Sequence, residues 1–208
     1  STGYTGTTRV QAGTLVATGS ASALGTGAGQ VSNGATLLID KVDLVTGGLT
    51  LNGSGVGGAG ALQGAGTASL AGAVTLATAS AIGAATGSDT LTVKNQVSGT
   101  GPLTKVGDGG VELSGSNIYT GGTTVEAGTL VARNANAFGN DVVRVDNGAS
   151  LRIDNVALTT GGLTLNGGGV GGAGALQGTG TASHEGSVTL ATASAIGAAT
   201  TSDTLTLK

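Results

Sequence analysis

The chain contains no cysteine, methionine or tryptophan, and only one proline, one phenylalanine and two tyrosines in 208 residues. Without cysteine there is no disulfide framework and no Cys-His nucleophile pair. The single histidine, His184, does not assemble with its surroundings into a recognisable Ser-His-Asp pattern. Charge is equally scarce. Charged residues make up 9% of the chain, against about 25% in an average soluble domain. The net charge is −3, and the eight Lys and Arg are scattered singly. That excludes a basic stripe for nucleic acid and a polybasic membrane patch. The longest mainly apolar run, residues 68–85, is Ala- and Gly-rich and broken by Ser and Thr, so it is not a membrane span. Collagen is excluded by the near absence of proline and of a three-residue glycine period. Disorder is opposed by frequent Val, Leu, Ile and Ala combined with little charge.

What is present is glycine, 43 residues of it, and a long internal repeat. Residues 30–94 and 144–208 align at an offset of 114, with 14 differences among 65 pairs. Upstream, YTGTTRVQAGTL at 4–15 matches YTGGTTVEAGTL at 119–130 at an offset of 115, so the second copy has lost one residue between Gly19 and Leu24. The chain therefore reads as one continuous fragment over 1–208, with units at approximately 1–115 and 116–208. Ser1 falls inside a pattern and no signal peptide precedes it.

The differences sort the faces. Leu37 and Ile39 correspond to Leu151 and Ile153, while Leu38 between them becomes Arg152. Val42 and Leu44 correspond to Val156 and Leu158, whereas Asp43 becomes Ala157 and Val45 becomes Thr159. An aliphatic residue exchanges with arginine only where the side chain reaches water. The tolerant positions face out, the aliphatic ones face in, and the period is two, as in a β-strand. Short strands are expected at 36–39, 49–51, 73–76, 90–93, 111–113 and 129–132. Asn-Gly pairs at 33–34, 52–53, 147–148 and 166–167 supply turns. Strands this short, separated by glycine-rich corners such as 53–60, favour an all-β parallel β-solenoid over an antiparallel sandwich. A rung of about 20 residues gives five or six coils per unit, stacked about 4.8 Å apart into a rod about 50 Å long.

Residues 101–132, GPLTKVGDGGVELSGSNIYTGGTTVEAGTLVA, carry a specific pattern: Gly101, Leu103, Lys105, Gly107, Gly109, Val111, Leu113, Gly115, Asn117, Tyr119, Gly121, Thr123, Val125, Gly128 and Leu130. This resembles the autotransporter-associated β-strand repeat, also called the passenger-associated transport repeat, with Val111 in a Leu place. Residues 1–16 carry its second half, with Tyr4, Gly6, Thr8, Val10, Gly13 and Leu15. The resemblance implies a right-handed parallel β-helix in the passenger of a type V secreted protein on the Gram-negative cell surface. It implies a structural or adhesive rod, aiding passenger secretion and folding, with host-cell or neighbouring-cell surface molecules or copies of itself as partners. The C-terminal β-barrel translocator of such proteins is absent from this chain. The lack of cysteine fits a chain that stays uncrosslinked before export.

No catalytic, cofactor-binding or metal-binding residues are expected. His184 aligns with Leu70 and reads as an exposed variable position. Asp40 and Asp154, and Asp89 and Asp203, match between copies and read as solvated strand ends and turns. Asp43, near Asp40, becomes Ala157. Paired carboxylates brought together by stacked rungs remain open. Gly107-Asp108-Gly109-Gly110 lacks the order of calcium-binding nonapeptides, and the glycine runs at 53–60 and 167–174 lack the lysine and helix of a phosphate loop. An alternative is a ligand-binding face, for ice or a glycan, built from outward Thr and Asn. Thr-x-Thr at 90–92 and 204–206 is its main support.

Overall fold

Alternation of Leu, Val and Ile with Thr, Ser and Gly gives strands of only two to six residues, with one exception. Such strands cannot hold a hairpin core, so they pair instead with the equivalent strand one coil away. A computed structural model describes residues 3–208; Ser1 and Thr2, the start of the partial motif, lie outside the described residues. It is all-β, with every strand pairing parallel, about nine coils, and two short 3₁₀ turns at Val56–Gly58 and Val170–Gly172 as its helical elements. Among the described residues no helix is long and apolar enough to cross a membrane.

Each coil has three sides. On the first, Thr8–Val10 pairs with Gly29–Val31, that with Leu49–Gly53, and that with the start of Val74–Ala84. On the second, Leu37, Leu62, Ile82, Lys105, Val125 and Val145 form a ladder that continues through Leu165 to Leu190. On the third, Leu44, Leu70, Val93, Leu113, Ala132 and Ile153 stack in the same way. The 11-residue strand Val74–Ala84 runs around a corner. Its first half pairs on the first side with Leu49–Gly53, and its second half pairs on the second side with Leu62–Ala65.

The expected strands are all present, the one predicted at 73–76 being longer than its pattern indicated. The expected rung of about 20 residues holds approximately but is not uniform. Coils recur ~22 residues apart, with a short return from Leu113 to Ala132 and a long one from Leu44 to Leu70. Glycine-rich excursions cause much of the spread. Between the ladder partners Leu37 and Leu62, the chain makes the 3₁₀ turn at Val56–Gly58 before rejoining the stack.

The unit is not a whole number of coils. Leu49 and Val74 lie on the first side, but their counterparts Leu163 and Val188 continue the second. Leu37 and Leu62 lie on the second side, but Leu151 and Leu176 continue the third. Leu44 and Leu70 lie on the third, and Leu158 and His184 stack above the first side's Val97, by way of Asn117 and Ala137. One unit therefore spans five and one-third coils, and its copy is turned by a third of a circle.

The interior is narrow and aliphatic. Leu37, Ile39, Leu44 and Leu76 are wholly buried, as the substitution pattern predicted, as is Leu51, and Leu151 and Ile153 match them in the second copy. At about 25 cal/mol per Å², each buried leucine contributes on the order of 2 kcal/mol. The turns depend on glycine where the backbone crosses to positive φ. Gly53 sits at φ 79 against Asn33 of the coil before it, and a β-carbon there would overlap the Asn33 carboxamide; Gly167 repeats this against Asn147.

The two copies give a built-in comparison. Leu76 is fully buried under the following coil, whereas its counterpart Leu190 is 54% exposed. Leu76→Ala is expected to lower unfolding free energy by about 2–5 kcal/mol, and Leu190→Ala by less than about 1 kcal/mol. Urea denaturation followed by circular dichroism measures both, and equal costs would contradict the stacking order.

Candidate functional site

The residues of the 101–132 pattern that are not aliphatic or glycine turn inward. Lys105 lies on the second ladder between Ile82 and Val125, a place that aliphatic residues otherwise fill. It is wholly buried, and its ammonium donates to the carbonyls of Gly107 at 2.6 Å and Ala127 at 2.8 Å. Burial lowers its pKa from 10.5 to about 8, against a smaller upward pull from Asp108. Asn117 is buried on the first side, where no regular strand forms. Its Oδ1 accepts from the Val97 N–H at 2.7 Å and its Nδ2 donates to the Ala137 carbonyl at 2.6 Å. One carboxamide thus replaces the peptide that a strand would have supplied. Tyr119 is buried with its hydroxyl 2.6 Å from Thr123 Oγ1, and burial raises its pKa.

Asn117 and Lys105 thus close main-chain groups between coils, while Tyr119 bonds the Thr123 side chain four residues on. They have no route to a substrate, since each is within 2% of full burial. The pattern could be recognised in the sequence, but the inward direction of Lys105 could not. Lysine is rarely buried without a partner, and its partners here are main-chain carbonyls, which no side chain announces.

His184 departs from its expectation as an exposed position. It is wholly buried, stacked between Leu158 and Leu207 on the first side. It occupies an interior place because its counterpart Leu70 does. Neither ring nitrogen has a hydrogen-bond partner. Burial lowers its pKa, and the nearby backbone of Ser187 and Leu158 pulls upward without outweighing that.

Of the matched aspartates, Asp89 and Asp203 brace turns. Asp89 accepts from the Gly66 N–H at 2.7 Å, the Thr86 N–H at 2.9 Å and the Thr86 hydroxyl at 2.7 Å, and Asp203 repeats this with Gly180 and Thr200. The Thr86 and Thr200 hydroxyls lead in holding the two carboxyls below the usual range. Asp154 pairs with Arg133, which also binds Glu112 at 2.9 Å. Asp43 pairs with Lys94 at 2.6 Å and accepts from Ser69; the Lys94 hydrogen bond is the first cause of its lowered pKa. Among the described residues no group of three or more His, Cys, Asp or Glu could hold a metal.

The two Thr-x-Thr tripeptides do not share a face. Thr90–Val93 lies on the third side, stacked on Thr67–Leu70, whereas Thr204–Leu207 lies on the first, stacked on Thr181–Glu185. The concave surface that does recur sits at the corner after the Asn-Gly turns. Asn33, Asn52, Gly53 and Thr78 line a shallow groove of about 440 Å³ in the first copy. Asn147, Asn166, Gly167 and Thr192, with Arg144 and Asp146, line one of about 600 Å³ in the second. Asn52 and Asn166 each use Nδ2 on the main chain, at 3.0 and 2.9 Å.

Residues 1–17 and 103–132 match the passenger-associated-transport-repeat family. A stretch of 80 residues is 45% identical to the Adhesin BmaC autotransporter of Brucella suis biovar 1 (strain 1330). That stretch is 38% of this chain and 2% of the relative's length. No solved structure matches the chain.

Two titrations follow. Above pH 8 folded Lys105 releases a proton that the unfolded chain still holds, so stability rises with pH. Between pH 8 and 10 the rise is expected to be about 2 kcal/mol. It is expected to vanish in Lys105→Met, as measured by urea denaturation at each pH; above pH 10 the raised Tyr119 works in the opposite direction. Folded His184 stays neutral where the unfolded chain takes up a proton, so stability falls as pH drops below 6.5. His184→Leu is expected to raise stability by about 1–3 kcal/mol at pH 7 and to remove that acid-side loss. An unchanged pH profile in either variant would refute the corresponding assignment.

Proposed function

We propose that this chain is a non-catalytic rod within the passenger of an autotransporter adhesin, displayed on the surface of a Gram-negative bacterium. The passenger-repeat matches and the adhesin relative support the class. The observation that carries the structural role is the use made of Lys105, Asn117 and Tyr119. Asn117 and Lys105 are spent on closing coils and the Tyr119 hydroxyl on the Thr123 side chain, so the pattern specifies a rod rather than a reaction.

In this reading residues 1–208 act as one continuous stretch, with units at approximately 1–115 and 116–208 and no catalytic, cofactor or metal residues. The rod projects and makes broad, low-charge contact with host-cell or neighbouring-cell surfaces, or with its own copies. The 101–132 pattern assists secretion, because a coil that folds outside the membrane biases the chain outward.

The test is to display the chain from a β-barrel translocator on a non-adherent strain. Adherence to cultured cells or cell–cell aggregation is expected to rise above that of the barrel alone, and no rise in either would refute the adhesive role. Asn117→Ala opens the ladder between two coils and is expected to reduce the surface-exposed passenger at least twofold by surface proteolysis. Unchanged display would remove the secretion role.

A further inference from the structure

The geometry points to a binding site for neutral carbohydrate in the corner groove, presented by successive units on successive sides of the rod. This rests on the rod reading above and adds a ligand class to it.

The groove has the right chemistry and little of any other. Its upper edge in the first copy is the Asn33 carboxamide, exposed and without a hydrogen bond, and beside it Asn52 keeps Oδ1 free after Nδ2 binds the Val31 carbonyl. Thr78 holds the opposite edge, accepting from the Gly53 N–H at 3.1 Å. The second copy repeats each element with Asn147, Asn166 and Thr192, the last accepting from Gly167 at 2.9 Å. A carboxamide presents a donor and an acceptor in one plane, which matches the spacing of adjacent hydroxyls on a sugar ring. The first groove has no charged lining residue, so it offers nothing specific to a phosphate or a carboxylate. In the second, Arg144 is already paired with Asp146 at 2.6 Å. Neither groove has an aliphatic side chain larger than alanine among its lining residues.

Placement gives the site its consequence. The first groove follows strands of the first side, Gly29–Val31, Leu49–Gly53 and the start of Val74–Ala84. The second follows strands of the second side, Val142–Val145, Gly162–Leu165 and Val188–Leu190. The grooves are therefore separated by five and one-third coils, about 26 Å along the axis at about 4.8 Å per coil, and turned by a third of a circle. Two such sites cannot lie flat on one polysaccharide strand. They bridge separate strands, so the rod crosslinks a glycan layer instead of coating it.

The test uses the whole chain on an array of neutral and acidic oligosaccharides, followed by equilibrium dialysis with the best neutral binder. Two sites per chain are expected, falling to one in Asn33→Ala or Asn147→Ala and to none in the double variant. Neither side chain makes a hydrogen bond within the protein, so circular dichroism is expected to be unchanged. The matching soluble polysaccharide should be precipitated by the wild-type chain but not by either single variant. The proposal is overturned if no neutral glycan binds, if the double variant binds within twofold of wild type, or if extended peptides bind in place of glycans. A chain that promotes adherence yet ignores every glycan would remove this site and leave the rod standing.

Discussion

Everything in this molecule depends on main-chain pairing between one coil and the next. Coils return ~22 residues apart, and their short strands bury little within a single coil. The energy lies between neighbours, in parallel hydrogen-bond ladders and in aliphatic stacks such as Leu37, Leu62 and Ile82. Glycine is abundant for the same reason. Corners must pass close to the coil beneath them, and at Gly53 and Gly167 a side chain would collide with an asparagine of the previous coil.

That constraint explains how the polar residues are used. Wherever a coil lacks a strand, its neighbour's peptide groups need another partner, and a buried unpaired group costs about 1–3 kcal/mol. Asn117 meets this need between Val97 and Ala137, and Lys105 meets it at Gly107 and Ala127. His184 shows the opposite case. The position is dictated by the ladder, since Leu70 fills it in the first copy, and the imidazole enters the core without finding a partner.

Much of this was legible in the sequence. The exchange of Leu38 for Arg152 between invariant aliphatics located the outward side of the strand, and the Asn-Gly pairs located turns whose glycines adopt positive φ. Other features were not legible. An exchange of Leu70 for His184 looks like tolerance at a surface, because a sequence comparison cannot distinguish a side chain that faces water from one forced inward by its ladder. The unevenness of the coils was also hidden. Excursions such as the turn at Val56–Gly58 lengthen the chain without adding a coil, so a period of 114 does not divide into a count. The corner groove was missed because its residues come from three coils and lie far apart in the chain, from Ser32 to Ala79.

The strand Val74–Ala84 turns a corner without a break, and the fractional coil count moves each unit's sides onto the next. Gain or loss of one unit therefore does more than change reach. Everything carried beyond the altered unit swings through a third of a revolution about the rod. Copy number sets a compass heading as well as a length, and only changes of three units at a time leave that heading where it was.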